Sequence, residues 1–160
     1  MGMRIGVLSD THLYRVSAEL KEIYSKYLLD TDLVLHAGDI VSLEVVEFLK
    51  SKHFQGVSGN MDPLEVKAIL PNKKIVRAGK FRIGLIHGWG SSEGLEKRVL
   101  GEFTDVDIIV YGHSHRAFNR KKEGVLLFNP GTATGPSLKG GNSIGILDLD
   151  DKINSRIISL

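Results

Sequence analysis

A mixed α/β sandwich is the fold class this sequence predicts, and three observations predict it. Short apolar, β-branched runs end at Gly or Asp, stretches of helical spacing separate them in the first half, and strand patterns dominate from Lys74 onward. Alternating strand and helix favours a parallel sheet, while the strand-rich second half adds antiparallel pairs.

Met3 to Leu8 reads as a buried strand, and Leu33 to His36 and Ile108 to Tyr111 read the same way. Val16, Leu20, Ile23, Tyr24, Tyr27 and Leu28 recur at helical intervals and give one apolar stripe, with Ser17 as its cap. Leu43, Val46 and Leu49 repeat that pattern after Ser42. Asp62, Pro63 and Glu65 read as N-cap, first-turn proline and capping-box glutamate of a short helix through Val66, Ile69 and Leu70. Leu95, Val99, Leu100 and Phe103 mark another helix. Two hairpins are expected, Ile75 to Ala78 with Phe81 to Ile86, and Ile144 to Leu149 with Ile153 to Ile158. Gly135 to Asn142 is the expected flexible loop.

The chain of 160 residues is 42% hydrophobic, enough to bury about two-thirds of its unfolded surface, so residues 1–160 are read as one domain. Its 21 basic and 19 acidic residues balance too evenly to argue for a nucleic-acid or membrane surface. The absence of cysteine excludes thiolate catalysis and thiolate metal sites, leaving oxygen and imidazole ligands, and fits a reducing cytosol. Ile5 to Leu8 is too short for a signal-peptide core, and no stretch approaches the roughly 20 apolar residues of a membrane span. A soluble, cytoplasmic protein is expected.

Ligand sites in α/β sheets lie beyond the carboxyl ends of the strands. Five strand ends here deliver metal-ligand residue types: Asp10 and His12, Asp39, Asn60, His87, and His113 with His115. The i, i+2 pairs Asp10/His12 and His113/His115 can share an ion, and glycines before Asp39, Asn60 and His113 permit sharp turns and close approach. Such oxygen and nitrogen donors suit Mn²⁺, Fe²⁺, Co²⁺, Ni²⁺ or Zn²⁺. Each of Asp10, Asp39 and Asn60 could alone be a turn or cap residue; their joint placement favours ligation.

The ordered set Asp-x-His, Gly-Asp, Gly-Asn, His-Gly and Gly-His-x-His resembles the calcineurin-like metallophosphoesterase superfamily, in its compact YfcE-type phosphodiesterase branch. The resemblance implies a four-layer αββα sandwich of two mixed sheets flanked by helices. It implies two divalent transition-metal ions, Mn²⁺ first, with one held by Asp10, His12, Asp39 and His115. The second would be held by Asn60, His87 and His113, with Asp39 bridging. Two such ions roughly 3.5–4 Å apart would generate a bridging hydroxide that attacks a phosphate ester in line. A small phosphate ester is the expected partner, and a homodimer is what the resemblance suggests. The competing reading is a Vps29-like protein-interaction scaffold on the same fold. A nuclease lacks support, because no basic stripe with interleaved aromatics is present.

One departure bears on chemistry. Many family members carry a histidine after the Gly-Asn asparagine, where it protonates the leaving oxygen; this chain has Met61. General-acid help is typically worth 10²–10⁴-fold, so diesters and activated esters become the expected substrates. Trp89 and Arg116 follow ligand motifs and are candidate substrate contacts. His36 is read as a packed residue or one that supports a neighbouring ligand, His53 as surface, Asp62 as a helix cap outside the catalytic set, and Asn129 to Thr132 as a turn or, as the resemblance suggests, a loop near the site. Lys73-Lys74 and Arg120 to Lys122 are read as solvated turns and hairpin flanks.

Overall fold

In the computed structural model, residues 2–137 and 140–160 are described. Among the described residues, ten strands form two five-stranded mixed sheets. The first contains β1 (Met3–Leu8), β2 (Leu33–His36), β3 (Phe54–Gly56), β9 (Ser143–Leu149) and β10 (Ile153–Ser159), in the order β10-β9-β1-β2-β3. β1, β2 and β3 are parallel, whereas β9 runs antiparallel to both β1 and β10. The second contains β4 (Lys73–Ala78), β5 (Phe81–Ile86), β6 (Ile108–Val110), β7 (Phe118–Lys122) and β8 (Val125–Asn129), in the order β4-β5-β6-β8-β7. There β5, β6 and β8 are parallel and the outer strands antiparallel.

The strand sequences lack polar alternation because both faces of each sheet are covered. Leu33 and Leu35 of β2 face the core between the sheets, with Ile5, Val7, Ile83, Leu85, Val110 and Phe128. Val34, between them, faces the helices α1 (Ala18–Ile23), α2 (Leu43–Leu49) and α3 (Leu64–Lys67), packing with Leu20, Val46 and Val66. On the far side of the second sheet, α4 (Leu95–Leu100) packs Leu95 and Val99 against Ile109 and Leu127. The result is helix, sheet, sheet, helix, the four layers expected. Each such fully buried aliphatic side chain contributes about 1.5–3 kcal/mol.

The caps and hairpins are largely as read from the sequence. The Ser17 and Ser42 hydroxyls accept from the N–H groups of Leu20 and Val45, and α1 continues as a π-helical segment, Tyr24–Leu28. β4–β5 and β9–β10 form the two expected hairpins. A third, β7–β8, was not expected; Glu123 and Gly124 at its turn both have positive φ, 53° and 79°, the type I′ pattern. Arg120, Lys121 and Lys122 lie within β7, exposed along the sheet edge, which is why that strand reads as a charged turn or hairpin flank. Asp62 is not the cap of α3: Pro63 holds that position without a side-chain bond, and the Asp62 carboxylate points elsewhere. Of the expected flexible loop, Leu138 and Lys139 lie outside the described residues. No helix among the described residues is long and apolar enough to cross a membrane.

Candidate metal centre

Loops following β1, β2, β3, β5 and β6 converge at one edge of the sandwich. Asp10 N–H donates to the Gly38 carbonyl and His12 N–H to the Asp39 carbonyl, both at 3.0 Å, while Gly112 N–H donates to the His87 carbonyl at 3.0 Å. The backbone is strained here. Asp10, His12, Asp39, His113 and His115 all adopt left-handed φ values between 48° and 70°, a conformation that costs a non-glycine residue about 1–2 kcal/mol. The i, i+2 pairs therefore share a side through left-handed turns rather than extended backbone. Such strain persists where the surroundings over-determine it, as at a functional site.

The glycines before the ligands act in two ways. Gly38 has a φ of 101° and lets the chain turn into Asp39. Gly59 and Gly112 have no positive φ; they are needed because a Cβ at either would overlap the Asp39 carboxylate or the Ser9 hydroxyl and Asp10 carboxylate.

All seven candidate ligands come together. Asp10 Oδ1 lies 3.2 Å from His115 Nε2 and 3.6 Å from His12 Nε2, and those two nitrogens are 3.3 Å apart. Asp39 Oδ2 lies 3.5 Å from His12 Nε2 and 3.2 Å from His87 Nε2, so it stands between two donor groups. Asn60 Oδ1 is 3.1 Å from His87 Nε2 and 3.2 Å from His113 Nδ1, completing the second group.

The opposite ring nitrogens are tied off. His87 Nδ1–H donates to the Ala37 carbonyl (2.7 Å), His115 Nδ1–H to the Pro136 carbonyl (2.6 Å), and His113 Nε2–H to the Gly90 carbonyl (2.7 Å). This fixes the tautomers, so in the neutral rings the inward nitrogens carry lone pairs. Those lone pairs face carboxylate and amide oxygens, which are also acceptors. Either a proton on the inward nitrogen or a cation at the centre reconciles the arrangement, and a divalent cation satisfies several of these acceptors at once. Asp10 Oδ1 makes the same point: it is buried and, apart from the imidazole contacts above, has no hydrogen-bond partner among the described residues. Two groups, Asp10 with His12 and His115, and Asp10 with Asp39 and His87, have the chemistry and spacing to hold a metal ion.

Protonation equilibria reflect that packing. Burial pushes the Asp10 carboxyl up, but the His115 and His12 imidazoles, His87 and the Ser9 hydroxyl outweigh it and hold it below the usual carboxylate range. Asp39 is also lowered, its burial outweighed by His87 and by the Met61 N–H. Asp10 pushes His115 up to about 9 against partial burial, with help from the Pro136 carbonyl. Burial drives His87 down, yet Asp39 and Asp10 more than offset it and leave the ring more basic than usual.

Several residues that support the candidate ligands carry only a weak signal in the sequence, or one with another sufficient reading. The buried Asp62 carboxylate accepts from three backbone N–H groups, those of Asp39 (3.0 Å), Val41 (2.6 Å) and Gly59 (2.7 Å), joining two ligand loops. His36 is fully buried, as its apolar context implies. Its Nδ1 accepts from Gly38 N–H at 3.0 Å, so Nε2–H donates to Thr11 Oγ1 at 3.2 Å, and burial pushes its pKa down to about 3. Asn129 is more than a turn residue: Nδ2 donates to the Gly112 carbonyl at 2.9 Å, and Oδ1 accepts from Gly131 N–H at 2.9 Å. Thr132 Oγ1 donates to the Asp10 carbonyl at 2.8 Å.

The Met61 side chain is exposed, while its N–H donates to Asp39 Oδ1 at 2.8 Å. Trp89 lines a cavity of about 510 Å³ that opens beside Asn60 and His87. The exposed Arg116 guanidinium forms no hydrogen bond or ion pair among the described residues. His53 is exposed, as expected.

A four-layer sandwich with carboxylate, imidazole and amide donors gathered beyond its parallel strands defines a candidate metal-binding protein of the α/β class. Comparison with known proteins narrows that class: a calcineurin-like phosphoesterase superfamily domain matches residues 3–152. The chain belongs to that superfamily. It is 37% identical to a protein of Methanocaldococcus jannaschii named as a probable metallophosphoesterase, covering 99% of this chain and 82% of that one. Among solved structures, an archaeal phosphodiesterase matches with a TM-score of 0.74 at 28% identity, over 99% of this chain and 100% of that chain. Vacuolar protein sorting 29 of Cryptosporidium parvum matches with a TM-score of 0.75 at 27% identity, over 98% of this chain and 97% of that chain.

Proposed function

We propose that this protein is a dinuclear-metal phosphodiesterase. The observation that carries the reading is the set of imidazoles, fixed from behind by backbone carbonyls, whose other nitrogens converge on carboxylate and amide oxygens. One ion would be held by Asp10, His12 and His115 and the other by Asn60, His87 and His113, with Asp39 shared between them. Two divalent ions, Mn²⁺ first and Ni²⁺, Co²⁺, Fe²⁺ or Zn²⁺ as alternatives, would supply Lewis acidity to the phosphate oxygens and a nucleophile from water at neutral pH. Oxygen donors from Asp10, Asp39 and Asn60 beside four imidazoles suit that group of metals.

The chain's own residues argue for diesters. The Met61 thioether donates no proton, and both Asp62 oxygens are engaged by backbone N–H groups. Neither residue assists a poor leaving group, so esters with stable leaving anions are favoured. The test is release of p-nitrophenolate from bis(p-nitrophenyl) phosphate with each metal in turn. Turnover that depends on metal and is lost in Asp39→Ala and His113→Ala supports the reading. The likeness to vacuolar protein sorting 29 favours one alternative, a protein-interaction scaffold that keeps the ligand set. No turnover with Mn²⁺, Ni²⁺ and Co²⁺ alike decides for the scaffold.

A further inference from the structure

The cavity of about 510 Å³ beside the ligand cluster is large enough for a nucleotide-sized group, and neither metal binding nor hydrolysis requires it. Asn60 and His87 belong both to the cluster and to the cavity wall. A phosphate seated between the donor groups therefore has this cavity as the adjoining space for one of its substituents.

The walls indicate what that substituent is. Trp89 presents an indole that is 43% exposed, a large aromatic surface with no aromatic partner among the described residues. A half-exposed ring at a cavity rim is a stacking platform for another planar group. Ser58 and Asn72 offer a hydroxyl and an amide that already touch at 3.3 Å and can read hydrogen-bonding edges. The lining also holds two ammonium groups with different status. Lys73 is neutralised by Glu102 at 2.7 Å, whereas Lys67 has no ionic partner among the described residues. An alkyl arm would leave these polar groups and the spare positive charge without purpose. A planar, polar arm satisfies them together.

We propose that this cavity is a specificity pocket for a nucleoside arm, with the base stacked on Trp89, making nucleotide-class phosphodiesters the substrates. The inference rests on the proposed phosphodiesterase activity only for the position of the phosphate.

Two measurements test it and separate the two readings. The first compares kcat/KM for thymidine 5′-(p-nitrophenyl phosphate) with that for methyl p-nitrophenyl phosphate, which share a leaving group and differ in the other arm. Stacking worth one base predicts a preference of about 10-fold or more for the thymidine diester. Trp89→Ala should collapse that ratio and Trp89→Phe should retain most of it. Equal kcat/KM values for the two diesters in the native protein overturn the pocket and leave the phosphodiesterase standing. The second needs no turnover. Trp89 is the chain's one tryptophan, so its fluorescence reports the cavity directly. A saturable change with thymidine 5′-monophosphate and none with inorganic phosphate supports the pocket, even in a protein that hydrolyses nothing. No change with the nucleotide, with or without Mg²⁺, overturns it.

Discussion

Asp62→Ala removes one carboxylate that holds two ligand loops together. In the native chain its oxygens accept from Asp39, Val41 and Gly59 N–H at 3.0, 2.6 and 2.7 Å, and the residue is 3% exposed. A bond to a charged group contributes about 1.5–3 kcal/mol, and a buried donor left unpaired costs about 1–3 kcal/mol. Water can enter the space left by the side chain and recover part of this, so a net loss of about 3–4 kcal/mol is expected. For a domain of this size each kcal/mol lowers Tm by about 2–4 °C, which predicts a fall of at least about 6 °C. Loosening the turns that carry Asp39 and Asn60 should also weaken metal binding by about 10–100-fold, the usual cost of losing an outer-shell partner. Asp62→Asn keeps one acceptor oxygen and should fall between. Calorimetric melting of the chelator-treated protein and isothermal titration with Mn²⁺ read the two effects separately. A Tm within 2 °C of native together with unchanged Mn²⁺ affinity would refute the assignment of Asp62 as a positioning residue.

Two further predictions follow from the site. Met61→His should raise turnover of poor leaving groups. The gain should lie toward the lower end of the 10²–10⁴-fold range of general-acid catalysis, because Asp62 is occupied by backbone donors and cannot orient the new ring. Assays against alkyl and aryl phosphodiesters of graded leaving-group pKa would show a flatter dependence in the variant; an unchanged slope counts against the reading. The metal-free protein should be most stable near pH 6.5. His36, held to about 3 in the folded chain, loses about 1.4 kcal/mol of stability for each unit that pH falls below its unfolded value of 6.5. Asp10 and Asp39, both depressed, add to that acid loss below 3.8, their unfolded value. His115, raised to about 9, contributes fully below 6.5 and loses its contribution as pH climbs through 9, with His87 acting in the same direction. Bound metal should reverse the alkaline limb, since ligation requires neutral imidazoles. Urea melts from pH 4 to 10 with and without Mn²⁺ check this, and a metal-free profile rising steadily through pH 9 contradicts it.

Much of the candidate site is legible in the sequence because each donor follows a short apolar run. The strand ends at Leu8, His36, Ile86 and Val110 are set by local pattern, and the parallel strands carry their following loops to one edge. The partners of those donors are not legible. Thr132 reaches the Asp10 carbonyl across 122 positions, and Asp62 reaches Asp39 across 23. Within its own neighbourhood Asp62 has a sufficient reading as a cap before Pro63, and nothing local distinguishes a cap from a clamp. The β7 strand was hidden for a related reason: Phe118–Lys122 sits at an edge, where solvent permits charged side chains and the apolar signal fades.

The sequence by itself determined the fold class, much of the order of the elements and the seven candidate donors, because hydrophobic periodicity and residue chemistry act over a few positions. The tertiary structure alone decided that five of the donors take left-handed backbone and that carbonyls of Ala37, Gly90 and Pro136 fix three imidazoles. It alone placed a cavity lined by Trp89 against Asn60 and His87. These are properties of loops from different strands meeting in space. No segment carries them, since each depends on a partner that only packing of the two sheets brings within reach.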